Sequence, residues 1–553
     1  MFIEVIEWAN NKLYSYSQEP SFYLERDDWD DYHYRTSYYL HLSGRHSESG
    51  KNTLIGHLKI LKEGQQERES YLIPLGGLKQ LDDGFCSLGQ SLDYYERIAQ
   101  LDKDLRNDLF IALRDIVIFP DMEEGLNKEP GFEKSLLRFV NRKDDIFSIA
   151  PLLISRDFNK LLSLDLQFDF KIPDLAEPIT FDFNSPTYGW NSKHLPNRIA
   201  VIIGRNGSGK STLLAKISRI AFASASDRSD KSLQQVGVIS PAGLGFPRII
   251  NLAYSAFDSF QVPGIYINEK ELIVQELKEG LGRYIFCGIR DIVKELEDIL
   301  PNLKTRHNGK LLPEDIIKDR HENSFLKPVR TLAEEFCKNL DIISTTEQIE
   351  LFPEVMEILA GETSMHTIAE IDFLAKGRDE NFAFFMELST GHKFVFHALS
   401  SIVALTTPRS LLLFDEPETH LHPPILAVLM QAIRHVLERR NSFMIVATHS
   451  PVVLQETLKR HVFVVRREGS ALVCGHPEIQ TFGENIGLIT ATAFGLSSEI
   501  TDYHLTLDKV IGALTSWVLE PDPDELIIEI EKIFDQELSM QARAYILTKL
   551  YAK

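Results

Sequence analysis

The stretch from Arg198 to Thr212 constrains this chain more than any other. Arg198 is followed by Ile199-Ala200-Val201-Ile202-Ile203, an unbroken apolar run of the kind found in parallel strands buried on both faces. A loop, Gly204-Arg205-Asn206-Gly207-Ser208-Gly209, comes next, and Lys210-Ser211-Thr212 opens a segment to Phe222 with apolar residues at helical spacing. Glycines let the backbone curl so that several N–H groups face one anion, and the N-terminus of the helix adds its positive dipole end. In that arrangement Arg205, Asn206, Gly207, Ser208, Gly209, Lys210, Ser211 and Thr212 line a triphosphate. Lys210 then reaches the β- and γ-phosphates, and the Ser211 hydroxyl ligates Mg²⁺. A plain glycine turn would explain the loop but not the lysine and hydroxyl at fixed offsets. Chance gives about 0.01 such matches in a chain of this size.

Two more apolar runs end in polar residues. Leu411-Leu412-Leu413-Phe414 delivers Asp415 and Glu416 to the carboxyl end of a strand, where open α/β sheets bind ligands. Asp415 suits the Mg²⁺ shell, and Glu416 suits a general base acting on the attacking water. Met444-Ile445-Val446-Ala447 leads into Thr448-His449-Ser450-Pro451. His449 then stands at the end of the next strand, in reach of the γ-phosphate or the water, unless it is only a structural histidine. Leu388-Ser389-Thr390-Gly391-His392 reads as a helix start. Its Ser389 and Gly391 form either a simple cap or a second phosphate cradle.

The 553 residues divide by pattern. Residues 1–150 read as a mixed α/β region, with strands over 34–42 and 53–61 and helix over 91–117. Residues 151–265 hold strands at 162–170, 179–183, 198–203, 236–240 and 248–254, the glycine-rich loop and its helix. Residues 266–380 are predicted to be a mostly helical insertion. Residues 381–502 return to sheet strands at 410–414, 443–447 and 461–465, and 503–553 form a helical tail. Asp522-Pro523-Asp524 reads as a helix-start turn.

Charge and cysteine usage exclude several classes. With 59 Lys and Arg against 80 Asp and Glu, the net charge of -21 argues against non-specific coating of nucleic acid. Lys459, Arg460, Arg466 and Arg467 make a small basic cluster that reads as solvated surface. Cys86, Cys287, Cys337 and Cys474 are too scattered for a disulfide framework or a zinc site. No signal peptide and no apolar run of membrane length is visible, so a soluble, cytoplasmic chain is expected.

In their order along the chain these stretches resemble the ATP-binding-cassette ATPases. Gly204 to Thr212 matches Walker A, Leu411 to Asp415 with Glu416 matches Walker B, and His449 matches the switch histidine. Leu388 to His392 matches the LSGGQ signature except at its third and fifth positions. The resemblance implies an ABC-type P-loop ATPase head, α/β in class, with ATP and Mg²⁺ as nucleotide and metal. It further implies a head-to-tail dimer in which Ser389 and Gly391 act on the nucleotide of the other subunit. Glu416-Pro417-Glu418-Thr419-His420-Leu421-His422-Pro423 puts His422 where transporter cassettes carry an aspartate. With ATHSP, it looks like the OLD and RecF-like branch of nucleases, repair and phage defence. The usual Q-loop glutamine is not evident, and Tyr254 to Phe260 is its best substitute.

More narrowly, the chain resembles the PtuA family, the ATPase subunits of Septu-type anti-phage systems, especially the retron-associated form. The features are Arg26-Asp27-Asp28-Trp29-Asp30-Asp31-Tyr32, the Asn251 to Phe260 stretch, the modest helical insertion and the short tail. That family implies a separate HNH nuclease partner, PtuB. In retron forms it also implies a reverse transcriptase and its DNA–RNA product. A RecF- or SMC-like repair ATPase is the alternative, although residues 266–380 lack the sustained heptads of a long arm. A self-contained OLD nuclease would need a metal-binding DxD pair after a strand, which the sequence beyond His449 does not offer. This chain alone is therefore expected to hydrolyse ATP and cut nothing.

Overall fold

The computed structural model describes residues 1–7, 20–27, 33–46, 52–140, 145–155, 166–184, 195–280, 282–306, 309–469, 471–493, 502–515, 522–534 and 538–551. The acidic-aromatic stretch Asp28 to Tyr32 lies outside them, as do residues 162–165 of one predicted strand.

Near the amino terminus, β1 (Ile3–Ile6), β2 (Phe22–Arg26), β3 (Ser37–Leu42), β4 (Thr53–Lys62), β5 (Gly76–Leu78) and β6 (Phe85–Gly89) form a mixed sheet. Its order is β5-β1-β2-β3-β4-β6, with β1 and β2 parallel. Helices Leu92–Ala99 and Lys103–Leu113 start where Ser91 and Asp102 accept hydrogen bonds from the first free N–H groups. Leu40, Leu58, Tyr94, Tyr95 and Phe110 belong to the region's own core.

The head contributes β7 (Gln167–Lys171), β8 (Ile179–Asp182), β9 (Ile199–Ile203), β10 (Val238–Ser240), β11 (Ile249–Ala253), β12 (Tyr284–Gly288), β13 (Leu411–Asp415), β14 (Phe443–Ala447), β15 (Val462–Glu468) and β16 (Ala471–Gly475). Seven of these form one sheet, ordered β12-β11-β13-β14-β9-β15-β16, in which only the last pair is antiparallel. β10, β7 and β8 make a small antiparallel sheet.

Alternation along β9 explains its unbroken apolar run. Ile199, Val201 and Ile203 face a core built with helices Val329–Thr345, Thr390–Leu405 and Pro423–Arg439. Ala200 and Ile202 face the opposite core, made with helix Lys210–Phe222 and the phenylalanines of β7 and β8. A strand covered on both sides has no place for a polar residue until it leaves the sheet.

The segment 266–380 is mostly helical, and it also supplies β12, the edge strand of the head sheet. Its five residues are all buried, and so short an apolar run between helices is not distinguishable by pattern from helix. The tail is helical as expected, with helices Asp502–Thr515, Pro523–Ile533 and Met540–Tyr551. The Asp522 side chain caps the second by accepting from the Asp524 N–H. No helix among the described residues is long and apolar enough to cross a membrane.

The amino-terminal region meets the head through buried ion pairs. Arg283, only 4% exposed, donates to Asp93 Oδ2 at 3.0 Å and to the carbonyls of Ala221, Phe222 and Phe246. Arg97 bonds Glu276 at 2.8 Å nearby. Removing one partner leaves an uncompensated buried charge. Arg283→Ala should therefore cost about 3–5 kcal/mol in chemical denaturation. The double variant Asp93→Ala with Arg283→Met should lose less than the single one, because it strands no charge.

Candidate nucleotide site

Strand register builds the site. Asp415, the last residue of β13, pairs with Ala447 of β14, and Ala447 pairs with Ile202 of β9. The chain segments after these three residues leave the same edge of the sheet together. They are Gly204 to Thr212, Glu416 to Glu418 and Thr448 to Ser450. β14 lies between the other two strands, so the histidine it carries sits between the glycine-rich loop and the acids.

The loop is shaped by close approach. A Cβ on Gly204 would come within 2.3 Å of the Val465 carbonyl oxygen. Gly209 has φ +96°, a left-handed conformation that a side chain would strain, and it caps helix Lys210–Phe222. Lys210 is 5% exposed, and its Nζ donates to the Gly204 carbonyl at 3.3 Å and to His449 Nε2 at 2.5 Å. The Lys210 ammonium is held below its ordinary value by burial, against the pull of Glu416, Asp415 and Glu418. Burial and the Lys210 charge lower His449 in turn, which suits a neutral ring accepting at Nε2.

The Ser211 hydroxyl donates to Asp415 Oδ1 at 2.9 Å. Asp415 is pushed up to about 7 by burial and by the charges of Glu416 and Asp258. Glu416 holds φ +47°, and His420 φ +69°, both unusual for residues with side chains. The Glu416 N–H donates to the Ala447 carbonyl at 2.8 Å, and its Oε1 lies 3.8 Å from His449 Nε2. The structure thus brings Lys210, Ser211, Asp415, Glu416 and His449 into one cluster.

The donor set fits a triphosphate and Mg²⁺. Ser208 Oγ is buried with no hydrogen-bond partner, a donor that a phosphate oxygen would satisfy. Arg205, Asn206 and Gly207 are exposed at the loop's tip. Gly207 and Gly209 both have positive φ, and Thr212 stands in the first turn of the helix. Ser211 and Asp415 offer adjacent oxygens for a hard cation. Bound Mg²⁺ would neutralise the phosphates and polarise the transferring group.

Ser389 and Gly391 lie apart from this cluster. Ser389 is exposed and caps helix Thr390–Leu405, accepting from the His392 N–H at 3.3 Å. Gly391 packs on the turn after Glu416, where a Cβ would meet the His420 carbonyl at 3.1 Å. Among the described residues, none of these contacts reaches the glycine-rich loop of the same chain.

Within Tyr254 to Phe260 two residues separate in role. Tyr254 is buried, and its hydroxyl pairs with His397 Nδ1 at 2.7 Å. Asp258 is held by Arg290 at 3.2 Å, and its charge acts on Asp415, so it is the member of the stretch that bears on that carboxylate. Of the basic cluster, Arg466 and Arg467 project into solvent from β15, while Lys459 is bonded to the Glu478 carbonyl.

Glu418 has a part that the sequence reading did not assign. Its carboxylate accepts from Thr448 Oγ1 at 2.7 Å and from the His449 N–H at 2.5 Å, so it fixes the backbone that presents the histidine. The available signal was its place two residues past Glu416, opposite the end of the neighbouring strand. Glu418→Ala should lower ATP turnover about 10–100-fold, as loss of a supporting partner typically does, while leaving ATP affinity little changed in equilibrium binding. Asp415 gives a second expectation. A proton and the cation compete for its oxygens, so Mg²⁺ affinity should weaken as pH falls through about 7, by up to about tenfold per unit. A metal titration at pH 8, 7 and 6 measures this.

The chain is similar to several known proteins. Residues 288–455 match the family model described as "AAA domain, putative AbiEii toxin, Type IV TA system". The chain is 29% identical over 513 residues to protein ea59 of Escherichia phage lambda, covering 90% of each. Among solved structures it is similar to the SMC head bound to the C-terminal winged-helix domain of ScpA, at 14% identity and TM-score 0.27. That match covers 56% of this chain and 97% of that one. The SMC head domain from Thermotoga maritima matches at 12% identity and TM-score 0.25, over 57% of this chain and 99% of that one. The fold is a mixed α/β head whose mostly parallel sheet carries the glycine-rich loop and its helix after β9, extended by the amino-terminal region and the helical tail.

Proposed function

We propose that this chain is an ATP-hydrolysing switch subunit that dimerises around ATP and holds and regulates a partner nuclease. The observation that carries the ATPase reading is the cluster of Lys210, Ser211, Asp415, Glu416 and His449 at the ends of three neighbouring strands. Lys210 and the loop hold the triphosphate, and Ser211 with Asp415 holds the cation. Glu416 accepts the proton of the attacking water, and His449 orients that water or the γ-phosphate. Glu416 holds a positive φ, and its carboxylate Oε1 lies 3.8 Å from His449 Nε2.

Dimerisation is inferred from Ser389 and Gly391. Ser389 is exposed and Gly391 half-buried at a capped helix start with no contact to their own glycine-rich loop, which suits the nucleotide of a second copy. Resemblance to the PtuA family of Septu-type systems supports an HNH nuclease, PtuB, as the held partner. It also supports a reverse transcriptase with its DNA–RNA product in a retron form. In this reading nucleic acid is contacted through the complex, and the chain itself is not the nuclease. The shared length with a phage-encoded protein is compatible with a part in contests between phages and hosts. An SMC- or RecF-like repair ATPase is the second reading, which the same cluster of site residues also fits, although residues 266–380 lack the heptads of a long arm.

Complementation tests the composite site. Lys210→Ala and Ser389→Glu should each abolish turnover alone. Mixed, they should recover measurable hydrolysis, because one of the two shared sites then has an intact lysine and an intact serine. Glu416→Gln should retain ATP and sediment as a stable dimer. Normal turnover by a strictly monomeric protein, or no recovery on mixing, would sink the in-trans assignment. Nuclease activity of the purified chain alone would remove the partner model.

A further inference from the structure

Two arginines of the basic cluster stand beside the glycine-rich loop. β15 runs parallel to β9, with Val464 opposite Ile203. The carbonyl of the next residue, Val465, is the one that a Cβ on Gly204 would meet at 2.3 Å. Arg466 and Arg467 follow at once, on a strand that continues to Glu468 and pairs with β16. Both side chains are exposed. Among the described residues neither guanidinium makes a hydrogen bond or an ion pair, so each carries a free positive charge.

Alternation along the strand sends the two side chains to opposite faces. Val462 and Val464 belong to the core built with helices Val329–Thr345 and Pro423–Arg439, and Arg466 continues their face. Phe463 and Val465 belong to the core built with helix Lys210–Phe222, and Arg467 continues theirs. Arg467 therefore stands on the side of the sheet where the glycine-rich loop runs into its helix. Directly opposite it in β16 is Leu472, buried, with Cδ1 4.0 Å from the position of a Cβ on Gly209. Leu472 turns its backbone outward: its N–H donates to the Asp174 carbonyl at 2.7 Å, and its carbonyl accepts from the Ala176 N–H at 3.2 Å. Arg467 and Leu472 are thus a pair without mutual backbone hydrogen bonds, the kind whose side chains approach more closely. Leu472 neighbours both the last glycine of the loop and the arginine.

The polarity of a bound triphosphate decides which end reaches Arg467. Ser211, Asp415, Lys210 and His449 take the cation and the terminal phosphate on the β13 and β14 side of β9. The N–H groups of the loop cradle the α- and β-phosphates. The nucleoside then leaves the loop on the far side, over β15 and β16, where Arg467 stands unpaired. A guanidinium is planar, weakly hydrated and suited to lie flat on an aromatic ring. We propose that Arg467 binds the nucleobase, its guanidinium stacked on the purine ring beside Leu472. This role rests on the nucleotide-site reading given above and extends it from the phosphates to the base.

The test uses the full chain with ATP, GTP and inorganic tripolyphosphate, which offers the phosphates without a base. In equilibrium binding, Arg467→Ala should weaken ATP about three- to tenfold and leave tripolyphosphate within about twofold. GTP should lose by the same factor as ATP, because every base has a π-face. Arg466→Ala removes the same charge from the opposite face and should shift each ligand by less than about twofold. Arg467→Trp removes the charge but keeps a stacking surface, and should bring ATP back to within about twofold of the unaltered chain. In steady state the Arg467→Ala loss should appear in KM with kcat unchanged, since the base is held alike in ground and transition states. Equal losses of ATP and tripolyphosphate would assign the charge to the phosphates and overturn the base contact. So would ATP binding indifferent to Arg467→Ala, or weakened as much by Arg466→Ala. An unaltered chain that binds neither ATP nor tripolyphosphate ends the nucleotide reading itself, and this role with it.

Discussion

The parallel ladder β13-β14-β9 is the constraint on which the rest depends. Its hydrogen bonds fix Asp415 opposite Ala447 and Ala447 opposite Ile202. Each strand is buried on both faces, so its polar residues can appear only after the last apolar one. Three chain segments then release charge at one edge of the sheet and within hydrogen-bond reach of one another. A register slip of one residue would turn every side chain of a strand to the opposite core. The double-sided burial that makes the runs apolar is therefore also what holds the chemistry in line.

The groups so assembled repel as well as attract. Asp415, Glu416 and Glu418 bring three carboxylates against a single buried lysine, with His449 between them. Asp415 shows the consequence, since burial and its acidic neighbours push it up to about 7. A divalent cation held by Ser211 and Asp415 would relieve that crowding. The positive φ at Glu416 and His420 is a second stored cost, of order 1–3 kcal/mol each by general experience. The N–H of Glu416 on the Ala447 carbonyl and the grip of Glu418 on Thr448 and His449 hold that turn in place. Strain here is local, between two strands whose cores are fully packed.

Sequence patterns reach this site unevenly, for physical reasons. Gly204 to Thr212, Asp415, Glu416 and His449 were legible because each combines a long apolar run with a residue type that the run cannot bury. Ser389 and Gly391 were visible only as a helix start, which the capped helix bears out; their action on a second copy is a matter of assembly. Glu418 was hidden because its work is to hold a backbone N–H, a job that leaves no spacing pattern. β12 was hidden for a different reason. Tyr284 to Gly288 is short and flanked by helices, and only its pairing with β11 makes it a strand. The ionic seam of Asp93, Arg97, Glu276 and Arg283 is long-range, joining residues up to 190 positions apart, and no local window contains it.

That seam lies just before β12, and the contacts that run from Tyr254 through His397 to Glu335 and Lys327 start just after β11. Arg283 immediately precedes β12, whereas Arg290 just beyond it binds Asp258 and Glu295. The edge strand is thus clamped by buried guanidinium groups at both ends. One of them ties it to the amino-terminal region and the other to the loop whose Asp258 acts on Asp415. Desolvated ion pairs of this kind add little net stability, yet breaking one strands a charge. β12 is therefore held between the accessory region and the loop that carries Asp258 by charges that cannot be removed one at a time without cost.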